Sequence, residues 1–210
     1  MKRILYASGV ALLSLLIANP IFAQEGGGDG GPSIGGWYFS VAGKGGLGDA
    51  GSADGTTIKT RDMYVFGGEA IFGKTFGRFL LGLSAEYNLF KQKTKASEVG
   101  NTNMAGSQLN VSPVLGMGAG KFLFVLKPIL YSNLTAEKKT SGGDESSVNS
   151  PKMGSFAFQI NYKWGAKTFI GFEYASVDYT KSDVGGKEST LKGDNIVNYS
   201  SMGVIYGYKF

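Results

Sequence analysis

The sequence predicts an all-β chain folded as an eight-stranded antiparallel up-and-down transmembrane β-barrel. Three observations carry that prediction. Apolar and polar residues alternate with period two through most of the chain. The breaks between the alternating runs are by turns short and long. No stretch after the N-terminal segment approaches the ~20 apolar residues of a spanning helix. The 210 residues give room for one domain; 34 of them are Gly and only 18% are charged. The chain has no Cys and no His. Disulfide scaffolds, thiolate and imidazole metal sites, the Ser-His-Asp triad and the usual general base are therefore excluded. A formal net charge of +5 is mild and marks no nucleic-acid partner.

The first segment reads as an address. Lys2 and Arg3 precede an apolar run from Ile4 to Ile17, Asn19 and Pro20 break it, and Ala23 places a small residue at a cleavage position. Residues 1–23 are thus expected to be a signal peptide for Sec-type export. Residues 24–36 (QEGGGDGGPSIGG) read as a flexible Gly-rich leader, and 37–210 as the barrel.

In order, strands are expected at 37–44, 61–72, 79–90, 104–117, 122–134, 152–164, 168–179 and 196–210. The breaks at 73–78, 118–121 and 165–167 are short, whereas those at 45–60, 91–103, 135–151 and 180–195 are long and polar and read as loops. This places both termini on the short-turn side, the asymmetry of outer-membrane barrels.

Parity decides which face is outside. In the sixth strand Phe156, Phe158, Ile160, Tyr162 and Trp164 oppose Ser155, Ala157, Gln159, Asn161 and Lys163. The third sets Phe79, Leu81, Leu83, Tyr87 and Leu89 against Gly82, Ser84, Glu86 and Asn88, and the fifth sets Phe122, Phe124, Leu126, Pro128 and Leu130 against Val125, Lys127, Tyr131 and Asn133. Eight strands enclose a narrow interior that cannot take so many large apolar side chains, so these rows are expected to face lipid. Pro128 lacks an N–H and is expected at a bulge or an unpaired donor position.

Residues 202–210 (MGVIYGYKF) carry the most specific pattern, with apolar residues at alternate places and an aromatic terminus. This segment resembles the last strand of bacterial outer-membrane proteins, and the chain as a whole is similar to the small eight-stranded barrels of the OmpA/OmpX type. The resemblance implies that Val204, Tyr206, Tyr208 and Phe210 form a signal for the barrel-assembly machinery. It also implies residence in the outer membrane, among its lipid and lipopolysaccharide.

Two motifs look chemical without their context. Gly68 to Thr75 (GEAIFGKT) fits the P-loop pattern, but no helix follows and the period-two pattern runs on. Gly43 to Gly48 (GKGGLG) likewise opens a long break, not a helix. Asp49 and Asp54 lack the ligand count of a calcium loop. Lys74, Arg78, Lys121 and Lys167 on the short turns read as ordinary turn polarity or as contacts to anionic headgroups. Lys91, Lys93 and Lys95 read as a solvated loop face.

By parity, Lys44, Glu69, Glu86, Lys127, Lys163 and Glu173 point inward. Three Glu and three Lys are expected to neutralise one another as an interior ion-pair cluster filling the lumen. A selectivity filter or proton path is the other reading of the same residues. No catalytic, metal or cofactor site is expected. The functional expectation is a non-enzymatic scaffold presenting four long surface loops for adhesion or another extracellular ligand, with a narrow channel for ions or small solutes as the alternative.

Overall fold

Alternating strands bury one face only when the sheet curls on itself, and this chain closes completely. The computed structural model describes residues 36–52, 59–92, 104–138, 145–184, 187–193 and 196–210. The expected signal peptide and leader, Gly36 aside, lie outside the described residues, as do Asp54, Lys93 and Lys95.

The elements are β1 (Trp37–Ser52), β2 (Lys59–Phe76), β3 (Phe79–Gln92), β4 (Met104–Ala119), β5 (Phe122–Pro128), β6 (Tyr131–Lys138), β7 (Glu145–Pro151), β8 (Phe156–Lys163), β9 (Thr168–Val184), β10 (Lys187–Thr190) and β11 (Val197–Lys209). β5 and β6 share one place in the wall, as do β7 and β8, while β10 pairs only with β9, so the barrel has eight staves. All pairings are antiparallel. Closure runs along β1 and β11, in register from Ser40↔Lys209 to Ser52↔Val197. At the short-turn end, Gly77 and Gly120 take φ of 60° each, a left-handed conformation that glycine adopts without a Cβ penalty.

The staves run further than the sequence pattern suggests. Residues 45–52, expected as loop, continue β1 and pair with both β2 and β11. The stretch expected as the third loop contributes the ends of β6 and β7, paired from Asn133↔Asn149 to Glu137↔Glu145. The fourth contains the end of β9 and its hairpin partner β10. In 45–52 the glycines hide the alternation, because Gly is depleted in strands and has no side chain to mark a face. Here close packing requires it: a Cβ on Gly46 would lie 2.1 Å from the carbonyl oxygen of Met202.

Parity holds on most staves and fails on one. Val125, Lys127 and Ile129 are buried, as are Ser132 and Leu134, while Leu130 and Tyr131 are both exposed. The register on β4 shifts accordingly: Leu115 faces Leu126, but Val111 faces Tyr131, leaving four residues on this stave against three on β4. That extra residue is a bulge, and it lies beside Pro128, which ends β5. The inward positions expected for Tyr131 and Asn133 are therefore corrected: Tyr131 is exposed on the outer face and Asn133 is only half-buried. The next stave compensates with a turn between Pro151 and Phe156, where Ser150 (φ 59°) and Gly154 (φ 103°) carry the chain outward and Met153 is 100% exposed.

The outer face between rim and bulge is a continuous apolar belt that includes Phe66, Phe72, Leu83, Leu115, Phe172 and Val204, all exposed. Aromatic pairs gather at the short-turn rim, with Trp37 stacked on Phe72 at 5.2 Å and Phe122 against Tyr162 at 5.2 Å. This is the banding of a barrel whose wall faces hydrocarbon and whose edges meet headgroups.

Inside, small residues let polar side chains cross the wall. Gly67 faces Asn88 in register, and a Cβ there would lie 2.1 Å from Asn88 Oδ1 and 2.6 Å from the Tyr87 carbonyl oxygen. Gly43 faces outward with nothing within 4 Å of its Cβ position. Gly67→Ala is expected to cost about 1–3 kcal/mol in urea unfolding of the refolded barrel, and Gly43→Ala to stay within about 0.5 kcal/mol.

Candidate functional site

The candidate site is the middle of the lumen. Lys127, on β5, is 1% exposed, and its Nζ donates to Glu69 Oε1 and Glu173 Oε2 at 2.5 Å each and to Glu86 Oε2 at 3.2 Å. Lys44, on β1, donates to Glu173 Oε1 at 2.5 Å and also to Glu86 Oε1. The two ammonium groups thus link carboxylates from β2, β3 and β9. Glu69 and Glu86 are directly opposed across β2 and β3, an arrangement of like charges that would repel without Lys127 beside both.

Neutral donors complete the cluster. Gln159 Nε2 donates to Glu69 Oε2 and to Glu173 Oε2, each at 2.6 Å. Asn88 Nδ2 donates to Glu86 Oε1 and, at 3.1 Å, to Gln108 Oε1. Gln108 Nε2 then donates to Tyr179 Oη at 2.8 Å, and the Ser132 hydroxyl lies 2.6 Å from both Tyr179 Oη and Asn110 Oδ1. The network spans the lumen from β1 to β9. It satisfies charges that would otherwise be very costly to bury.

Lys163 does not belong to it. Its parity is inward, but it ends β8 at the short-turn rim, where it is exposed and its N–H donates to the Lys121 carbonyl at 2.8 Å. The expected interior cluster of three Glu and three Lys is therefore corrected to three Glu and two Lys, a formal charge of 2 − 3 = −1 when all five are ionised. Parity gives a side chain's direction and not its height; the height comes from counting along the strand to its end. Gln159, Asn88, Gln108, Tyr179 and Ser132 join the cluster beyond the expected charged residues, because neutral donors and acceptors carry no charge to mark them in the sequence. For Gln159 and Asn88 the same inward parity was the available signal.

The three carboxylates lie close enough together to bring one oxygen each within 4.8 Å, a spacing that suits a metal ion. The Lys127 ammonium, bonded to all three, already supplies the central positive charge, so this donor set is built around a lysine.

Apolar layers close the cluster on both sides. Towards the short turns lie Tyr38, Ile71, Leu80, Val114 and Val125. Towards the other end lie residues including Met63, Val65, Phe90, Val148, Val197 and Tyr199. Lys44, Gly46, Val65, Glu173 and Ser201 line a tight space on one side of the cluster. The arrangement holds the charges in place in the middle of the lumen.

The C-terminal residues lie apart from this site. Val204, Tyr206 and Tyr208 are exposed on the outer face of β11, and Phe210 packs its ring 5.1 Å from Phe39 and 4.9 Å from Tyr208. Its N–H donates to the Phe39 carbonyl at 2.9 Å, so the chain end is tied onto β1.

Removing Lys127 strands three buried carboxylates with one remaining lysine. Lys127→Met is expected to lower unfolding stability by about 3–5 kcal/mol, read from the urea midpoint of the refolded barrel. Lys163→Met, at the exposed rim, is expected to change it by less than about 1 kcal/mol.

The sequence matches no protein-family model and no curated protein. In three dimensions the chain is similar to Neisserial surface protein A (NspA), with 12% identity and a TM-score of 0.53 over 82% of this chain and 97% of that one. It is also similar to Ail, the attachment invasion locus protein of Yersinia pestis, with 14% identity and a TM-score of 0.48 over 84% and 99%. A third likeness is to the outer membrane protease OmpT of Escherichia coli, with 9% identity and a TM-score of 0.35 over 88% and 99%. At such identities the likeness is one of fold, and the chain has the fold of the small eight-stranded antiparallel barrels of outer membranes.

Proposed function

We propose that this chain is an integral outer-membrane protein without enzymatic activity, a rigid barrel that presents the strand connections opposite its short turns for adhesion or another surface interaction. One observation supports this above the rest: the lumen is closed by a charged layer between two apolar layers, so the barrel is a support and its reactive surface lies elsewhere. The apolar belt and aromatic rim suit a wall in lipid. The lack of any His or Cys removes the side chains that most hydrolases use as base or nucleophile. The fold shared with NspA is consistent with this reading. Val204, Tyr206, Tyr208 and Phe210 would guide insertion by the assembly machinery. Lipopolysaccharide would surround the end of the barrel opposite the short turns.

Two measurements test the proposal, and the cysteine-free background makes the first one clean. Ser189→Cys, exposed on β10, is expected to react with an impermeant thiol reagent on whole cells, and Ala166→Cys, exposed on a short turn, only after the outer membrane is opened. In planar bilayers the pure protein is expected to give no steady current. Stable ion-selective openings would favour a channel, and labelling of Ala166→Cys on intact cells would overturn the orientation.

A further inference from the structure

The charges of this barrel are sorted by height. Lys74, Arg78, Lys121, Lys163, Lys167 and Lys209 all lie at the short-turn rim. Among the described residues no Asp or Glu lies on that side of the lumen cluster, and none of the six cations has an acidic side chain as ion-pair partner. Among the described residues, the side chains of this rim therefore carry positive charge without acidic side-chain partners, directly next to the apolar belt.

At one place this ring meets a groove. Leu80 on β3 and Gly116 on β4 are register partners whose positions turn inward, so the outer surface between them is bare backbone. Phe76, Phe79, Leu81 and Leu115 stand around it as walls. The resulting groove is a shallow, open depression whose lining is almost wholly apolar. Two cations are placed over its wall residues. Lys74 Nζ is 5.6 Å from the centre of the Phe76 ring, and the Arg78 guanidinium carbon is 5.4 Å from that of Phe79. An apolar slot thus opens beside two positive charges, with no acidic side chain among the described residues of this rim.

We propose that this groove is a binding site for one anionic phospholipid of the periplasmic leaflet, with an acyl chain along Phe76, Phe79, Leu81 and Leu115 and the phosphate between Lys74 and Arg78. The inference rests on the outer-membrane reading above and adds a defined ligand class and position. An apolar slot alone would take any chain. The paired cations select for charge, and the Arg78 fork suits a phosphate in particular. Lys163 and Lys167, at the connection between β8 and β9, neither of which lines the groove, add general attraction but no slot.

The test uses the folded full-length protein in detergent, with native mass spectrometry of bound lipid. Phosphatidylglycerol and phosphatidylcholine of identical chains are the probes. Wild-type protein is expected to retain phosphatidylglycerol about tenfold better, with the preference shrinking as salt is raised. Lys74→Gln with Arg78→Gln should bring phosphatidylglycerol down to the phosphatidylcholine level while heat-modifiable migration is kept. Leu115→Trp, which fills the slot, should reduce retention of both lipids. Lys163→Gln with Lys167→Gln should leave the preference within about twofold. Equal retention of the two lipids by the wild type, or an equal loss from the Lys163 and Lys167 pair, would overturn the site; the wild-type salt series decides the matter even if the first double variant fails to fold. Retention in detergent does not depend on cell topology, so failure of the lipid site and failure of the outer-membrane reading are read from different experiments.

Discussion

The ammonium of Lys127, held among three carboxylates in a closed lumen, is the contact on which the rest of this barrel depends. Its partners come from β2, β3 and β9, and through Lys44 and Gln159 the cluster also involves β1 and β8. Six elements must therefore be in register before any of these charges is compensated. A slip of one residue on any of them would turn its member outward into the apolar belt. A buried ion pair is weak evidence for stability, because desolvation consumes much of the Coulomb gain. What it supplies here is discrimination between the correct register and its neighbours. A barrel wall made of similar alternating strands needs that discrimination.

The apolar layers above and below strengthen the effect. The buried apolar surroundings make every misplaced charge more costly. The proposed function follows from the same enclosure: with the interior holding the fold, recognition would fall to the outer surface, at the connections at one end and at the cationic rim with its groove at the other. The sorting of side-chain charge by height belongs to the same design: among the described residues the acidic side chains lie in the lumen or towards the end opposite the short turns, and the short-turn rim carries lysines and Arg78.

Much of this was legible in the sequence, for physical reasons. Period-two alternation with Phe, Leu and Tyr on one face identified the staves and their outward sides, and the short turns fixed the direction of the meander. The inward charges Lys44, Glu69, Glu86, Lys127 and Glu173 followed from parity alone. Four features did not follow. The height of Lys163 depends on where β8 ends, and parity carries no such information. The phase change at Leu130 and Tyr131 comes from a bulge next to Pro128; proline signalled an irregularity, but not that one residue would be inserted. The upper part of β1 is hidden because Gly45, Gly46 and Gly48 have no side chains to alternate, although close backbone approach is what demands glycine at 46 and 48. The neutral members of the cluster join through hydrogen-bonding capacity, which charge and parity alone do not reveal.

The central claim is that Lys127 and the carboxylates act as one interior unit. A double-mutant cycle between Lys127 and Glu69 tests it most directly, because Lys127 is the one lysine with which Glu69 forms an ion pair among the described residues. Urea unfolding of the wild type, Lys127→Met, Glu69→Gln and the double variant supplies the four free energies. The account predicts that Lys127→Met costs less when Glu69 is already Gln, by more than about 1 kcal/mol, because one of the stranded charges has been removed beforehand. An equal cost in both backgrounds would show two independent side chains and would contradict it.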